Sequence, residues 1–153
     1  MTGILIRPMT IQDYDQVRSL WLTIQGFGIR ALDDSREDIA RFLLRNPTTS
    51  VVAEYNGRIV GTILCGSDGR QGALYHVCVA RPFRRQGIGT KMVGHCMKQL
   101  KDMGINKVAL IAFTRNESGN AFWQQIGWKK SDVNYYEFVL NEKNITQFIG
   151  EDA

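Results

Sequence analysis

The chain has little that would fix a fold covalently. Its 153 residues include three cysteines, Cys65, Cys78 and Cys96, far apart and set within apolar patterns. No CxxC pair occurs, which argues against both zinc and disulfide frameworks, and no metal is expected. All three read as buried, reduced packing residues. Long hydrophobic runs are also missing. None approaches the roughly 18 residues of a membrane span. The start, "MTGILIRPMT", has a short apolar run broken by Arg7 and Pro8, unlike a signal peptide. The expectation is a cytoplasmic protein with no membrane partner. Repeats, low-complexity tracts and linkers are absent too, so residues 1–153 read as one domain, with a polar peripheral tail from about 141.

What is present is an ordinary globular composition, 44% hydrophobic and 22% charged, with a net charge of +4. The positive charge is uneven. Arg81, Arg84, Arg85 and Lys91 crowd one stretch, and Lys98, Lys101 and Lys107 follow. Such a patch suits nucleic acid, an anionic surface or a phosphorylated small molecule. A single-strand binder would also show an exposed aromatic platform among its basic residues, and none is seen, so nucleic acid is not an expected partner.

Periodicity gives the order β α α β β β α β α β. "GILIRPM" reads as a first strand. Thr10 and Asp13 read as a capping box for a helix with an apolar stripe from Ile11 to Ile24. A second helix starts near Ser35 and stops before Asn46-Pro47. Asn56-Gly57 marks a hairpin. "ALYHVCVA" is the next strand, followed by a basic glycine turn and a helix from about Gly87 to Met103. "KVALIAF", continuously apolar, reads as a central strand covered on both faces. "NESGNAFWQQIG" is a shorter helix, and "DVNYYEFVL" a final strand. The tail is expected to fray or cap the sheet edge.

The turn "RPFRRQGIGTKM" carries the chemistry. A strand that ends at Ala80 and a helix that opens on glycines bring free N–H groups to one point, where the helix dipole adds partial positive charge. Gly87 and Gly89 leave room for close approach, and Arg84 and Arg85 add full charges. This suits a pyrophosphate. A Walker A loop is not matched, and the Rossmann fingerprint fails because Met92 stands where its third glycine belongs. What remains is R-x-x-G-x-G.

With these residues the chain resembles the GNAT superfamily, the Gcn5-related N-acetyltransferases. The strand, R-x-x-G-x-G and helix of "VCVARPFRRQGIGTKMV" match its signature. A second match, "NESGNAFWQQIGW", supplies Asn116, Phe122-Trp123 and Gly127-Trp128. The resemblance covers nearly the whole chain. It implies an α/β GNAT fold: a mixed central sheet of about six to seven strands, flanked by about four helices and splayed between the fourth and fifth strands. It implies transfer of an acetyl group from acetyl-CoA to a primary amine, by direct attack in a ternary complex. The acceptor is read as a small molecule. Peptide or protein amines, and a non-catalytic acyl-CoA sensor, are the alternatives. A homodimer is a further expectation from the family.

By the same resemblance, the N–H groups of Arg84, Arg85, Gln86, Gly87, Ile88, Gly89 and Thr90 hold the CoA pyrophosphate. Val77, Cys78 and Val79 pair with the pantetheine arm as an added strand, with an unpaired N–H near Val77 as oxyanion donor. Asn116 contacts the arm and Trp123 packs on it. The chain departs from the family at the proton-transfer positions. Trp123 replaces the usual tyrosine acid, and indole N–H is no practical proton donor. Ala73 and Ile111 stand where some relatives carry a basic glutamate. His76 on the cofactor strand, a residue type that titrates near neutrality, is the candidate base. Tyr135 or Tyr136 on the last strand is the candidate acid, with a water relay as fallback. On the acceptor side, Asp33, Asp34, Glu37 and Asp38 offer charge for a cationic amine, Trp21, Phe27 and Tyr75 could shape a pocket, and "CGSDGRQG" reads as a flexible gate.

Overall fold

In the computed structural model, which describes residues 3–150, the elements follow as β1 (Ile4–Pro8), α1 (Tyr14–Trp21), β2 (Gly28–Arg30), α2 (Arg36–Arg45), β3 (Val51–Tyr55), β4 (Arg58–Ser67), β5 (Gly72–Val79), α3 (Ile88–Asp102), β6 (Val108–Ala109), α4 (Glu117–Gln125) and β7 (Thr146–Phe148). Five strands form a mixed sheet in the order β1-β3-β4-β5-β6, and β2 pairs with β7 in a second, two-stranded sheet. The β5–β6 pair is parallel and the others are antiparallel. Among the described residues, no helix is long and apolar enough to cross a membrane.

Local chemistry explains most of the boundaries. Asn56 and Gly57 sit at φ 50° and 77°, as a two-residue hairpin turn needs. The Ser35 hydroxyl accepts from the Asp38 N–H and starts α2. The Thr10 N–H donates to Asp13 at 2.9 Å, ahead of a 3-10 turn at Ile11–Asp13 that leads into α1. Arg7 donates to both Asp13 oxygens at 2.8 Å, tying β1 to that turn.

Alternation along the strands splits the core. Val52, Ile59 and Leu64 face α1 and α2, with Val17, Leu20 and Trp21. Val51, Ala53, Val60, Ile63 and Cys65 face α3, with Met92, Val93, Cys96 and Leu100. Each such aliphatic side chain contributes about 1.5–3 kcal/mol by leaving water. The strand covered on both faces is β4. All three cysteines are buried free thiols.

Three expectations fail. "KVALIAF" is not central: its ladder is only Val108–Ala109, at the sheet edge, and Ile111 and Phe113 are exposed. "DVNYYEFVL" has the alternation of a strand but runs outside both sheets, with Tyr136, Phe138 and Leu140 at 86–95% exposure. Alternation fixes which face a strand would bury, but a strand also needs a partner edge. The described part of the tail, to residue 150, does not cap the main sheet, and residues 151–153 lie outside the described residues. The tail pairs through β7 with β2, so the segment after α1 is a short strand as well as a helix break.

Candidate active site

Strand β5 organises the site. It pairs with β4 through Thr62↔Cys78 and Leu64↔Tyr75, so His76 and Val77 together face Ile63. This is a one-residue bulge. His76 sits at its apex at φ 49°, a left-handed conformation that costs of order 1–3 kcal/mol. A buried chain of donors holds it there. The Trp21 indole donates to Thr62 Oγ1 at 3.0 Å, and Thr62 Oγ1 donates to the His76 carbonyl at 2.9 Å.

On its other edge, β5 meets β6 only at Gly72↔Val108 and Ala73↔Ala109. Beyond that pair the ladder ends, and both strands line a cleft of about 2760 Å³ that also reaches α2, the start of α3 and α4. Val77, Cys78 and Val79 line one wall; Ala109 to Phe113 line the other. The apolar run mistaken for a central strand is therefore an open cleft wall.

One end of the cleft is the glycine turn. Gly87, at φ 79°, precedes α3, and no side chain caps the helix. The first N–H groups of α3 have no acceptor in their own helix. A Cβ on Gly87 would meet nothing within 4 Å, whereas one on Gly89 would press on Phe122 Cζ at 3.3 Å. Gly87 thus leaves the ligand side open, and Gly89 lets α4 approach. Arg85 also adopts positive φ, at 62°. Arg84 turns back to donate from Nε to the Val79 carbonyl at 2.9 Å, so its charge is fixed beside the strand end. Arg84, Arg85, Gly87, Ile88, Gly89 and Thr90 all line the cleft. Gln86 does not, and its buried Oε1 has no partner among the described residues. An uncapped helix start with open space and adjacent arginines fits a pyrophosphate.

Asn116 lines the cleft and also caps α4, its Oδ1 accepting from the Gly119 N–H at 3.1 Å. Trp123 lines the cleft and packs on Phe122 and Trp128, with ring centres 5.0 and 4.8 Å away.

The opposite end is built from side chains. The His76 ring lies between Trp21 and Phe27, with centres 4.6 and 5.2 Å away. Its Nε2 is 2.9 Å from Asp34 Oδ1. Asp34 is 5% exposed, and its Oδ2 accepts from the Arg30 N–H at 2.7 Å. The Tyr14 hydroxyl donates to the Asp34 carbonyl. Asp34 is therefore no free surface charge for an amine; its carboxylate is spent on this network. Asp33 pairs with Arg30 at 3.1 Å, and Asp38 with Arg41 at 3.1 Å. Asn144 pins the same turn from the tail, accepting from the Leu32 and Asp33 N–H groups and donating to Asp33. Trp21 is wholly buried, while Tyr75 is half exposed, edge-on to Phe42. The 67–71 loop is a pinned turn: Asp68 Oδ1 accepts from the Arg70 and Gln71 N–H groups at 2.8 Å. Those bonds hold the Asp68 carboxyl below its ordinary range.

Of the two tyrosines, Tyr135 lines the cleft and Tyr136 is 86% exposed outside that lining. Partial burial and the neighbouring Glu137 raise the Tyr135 hydroxyl above its ordinary value. Cys78 is the nucleophile type nearest His76 along β5, but burial pushes its thiol up to about 11. At neutral pH only about one in 10⁴ such thiols is ionised, so an acyl-cysteine route is disfavoured. The Asp34–His76 pair is 42 residues apart in sequence, and no spacing rule joins the two.

The site is thus framed by a sheet that parts beside a bulged strand and by an uncapped glycine turn at one end. Residues 14–128 match the sequence model of the acetyltransferase (GNAT) family, and the chain belongs to that family. Solved structures share the fold. PaiA N-acetyltransferase from Thermoplasma acidophilum, crystallised with coenzyme A, superposes with a TM-score of 0.74 at 16% identity, over 87% of this chain and 94% of that one. AAC(6')-Iy, bound to a CoA-acetylneamine bisubstrate analogue, gives 0.69 at 17%, over 90% and 99%. Naa50 of Arabidopsis thaliana, with the peptide analogue CoA-Ac-MVNAL, gives 0.68 at 18%, over 95% of each.

Proposed function

We propose that residues 1–153 form one cytoplasmic N-acetyltransferase domain that moves the acetyl group of acetyl-CoA to a primary amine, by direct attack within a ternary complex. The observation that carries this reading is the join of two features on one strand: the β5–β6 opening and the uncapped turn at Gly87. The turn's N–H groups and Arg85 hold the pyrophosphate, and the open edge at Val77–Val79 pairs with the pantetheine amides. The amine nitrogen attacks the thioester carbon, the C–S bond breaks, and CoA leaves as the thiolate. His76 takes the amine proton on the imidazole nitrogen that Asp34 does not hold. Tyr135, protonated at neutral pH, is the nearer tyrosine for returning a proton to sulfur. That transfer is uphill by about 2 kcal/mol or more against a thiol of pKa near 8.5, so water competes with it.

The acceptor is read as a small cationic amine. Asp33 and Asp38 are paired with Arg30 and Arg41, so Glu137, which also lines the cleft, is the carboxylate that would attract an ammonium. The exposed run through Tyr136, Phe138 and Leu140 suits burial against a second copy of the chain, as a homodimer. Thiol release from acetyl-CoA, followed across a panel of polyamines, aminoglycosides and peptide N-termini, tests the assignment. Turnover with a small amine is expected. Turnover restricted to peptides reassigns the acceptor. Tight CoA binding with no turnover anywhere would make the domain a sensor.

A further inference from the structure

We propose that Asp34 is the positioning residue for His76, fixing which imidazole nitrogen carries the proton. The inference rests on His76 being the base and goes beyond it. Asp34 Oδ1 and His76 Nε2 are 2.9 Å apart, and the carboxylate is almost fully buried. A carboxylate accepts and cannot donate. The proton must therefore sit on Nε2, which leaves the Nδ1 lone pair for the amine. The carboxylate is itself fixed, because its second oxygen takes the Arg30 N–H at 2.7 Å and the Tyr14 hydroxyl holds its main chain. Trp21 and Phe27 flank the ring and stop it turning over. The Thr62 bond to the His76 carbonyl holds the left-handed backbone that points the ring into this slot. Six residues, Tyr14 and Trp21 of α1, Phe27 and Arg30, Asp34, and Thr62 of β4, thus converge on one outcome, a single tautomer in a single orientation.

When a carboxylate–imidazole pair loses its charge but keeps its shape, the imidazole is left in the wrong tautomer and the rate falls steeply. Asp34→Asn does this here. The new amide can still accept from the Arg30 N–H through its oxygen. It then presents an NH₂ to Nε2, which forces the proton onto Nδ1 and blocks the base.

The test combines ¹⁵N NMR of the imidazoles with steady-state kinetics, using an amine that the panel shows to be turned over. In the unaltered protein His76 should carry its proton on Nε2; a proton on Nδ1 overturns the proposal without any variant. Asp34→Asn should move that proton to Nδ1 and lower kcat about 100-fold, with KM for acetyl-CoA unchanged within twofold. Full activity, or a rate loss with the tautomer unmoved, overturns it. His76→Asn is the companion, since asparagine tolerates the left-handed backbone. If that variant keeps full kcat, His76 is no base, and the function reading loses its proton acceptor along with this inference. If it is slow while Asp34→Asn is not, only the inference fails. In the His76→Asn background, adding Asp34→Asn should cost nothing further; an additive loss means that Asp34 acts elsewhere.

Discussion

The two ends of the cleft are built by different means. The glycine-turn end is main chain: consecutive N–H groups at a helix start, with Gly87 leaving open space before them. The His76 end is side chain: Trp21, Thr62, Asp34 and Tyr14 arrive from α1, β4 and the turn after β2 to hold one ring. A main-chain site is specified by a few adjacent residues and accepts one kind of ligand, a polyanion. A side-chain site needs the whole fold to assemble it, and can change chemistry one residue at a time. If the comparison is right, damage at one end should spare the other.

The largest expected effect is at the main-chain end. Gly87→Glu places a carboxylate where the proposed pyrophosphate lies and should weaken CoA binding at least 100-fold, about 2.7 kcal/mol, by calorimetry. Since a Cβ there meets nothing in the protein, the fold should survive with only the strain of a left-handed non-glycine residue, about 1–2 kcal/mol. Gly87→Ala carries the same strain without the charge, so the difference between the two variants isolates the anion site. Equal CoA affinity in both would move the pyrophosphate elsewhere.

Thr62→Val strikes the other end. It keeps the shape but leaves the Trp21 indole N–H and the His76 carbonyl without their partner. Denaturant unfolding should show a loss of about 1–3 kcal/mol. Turnover should fall because the His76 backbone loses its anchor, while CoA affinity stays within twofold. A matching drop in CoA affinity would mean that the two ends are one mechanical unit.

The same contrast explains what the sequence could disclose. The anion turn was legible because Arg84, Gly87 and Gly89 are neighbours in the chain, and the hairpin at Asn56-Gly57 was legible for the same reason. The splay was reachable only through the resemblance to a family. The Asp34–His76 pair was not legible: Asp-Asp-Ser before α2 looks like ordinary acidic bias at a helix start, and nothing local says that one of those acids turns inward. Strands β2 and β7 are three residues each, too short to show a period, and over a hundred residues apart. The errors at "KVALIAF" and "DVNYYEFVL" share a cause. Apolar content and alternation report an affinity for burial or pairing, but not whether the fold supplies the neighbour.

The smallest effect sharpens the comparison most, because it acts from a distance. Asn144 lies in the tail and is not itself among the contacts of the His76 ring, yet it accepts from the Leu32 and Asp33 N–H groups at 3.0 and 3.1 Å and donates to Asp33 at 2.9 Å. Those bonds hold the turn that presents Asp34. Each is partly exposed, so Asn144→Ala should cost only about 1 kcal/mol in stability. Loosening that turn lets the Asp34 carboxylate wander from Nε2, so kcat should fall several-fold while CoA affinity does not change. The neighbouring Lys143→Ala removes a side chain with no part in the turn and serves as the control. A fall in kcat with Asn144→Ala alone would show that the tail, read from sequence as peripheral, is structurally part of the side-chain end. Unchanged turnover in both would confine the positioning network to Tyr14, Trp21, Phe27, Arg30, Asp34 and Thr62.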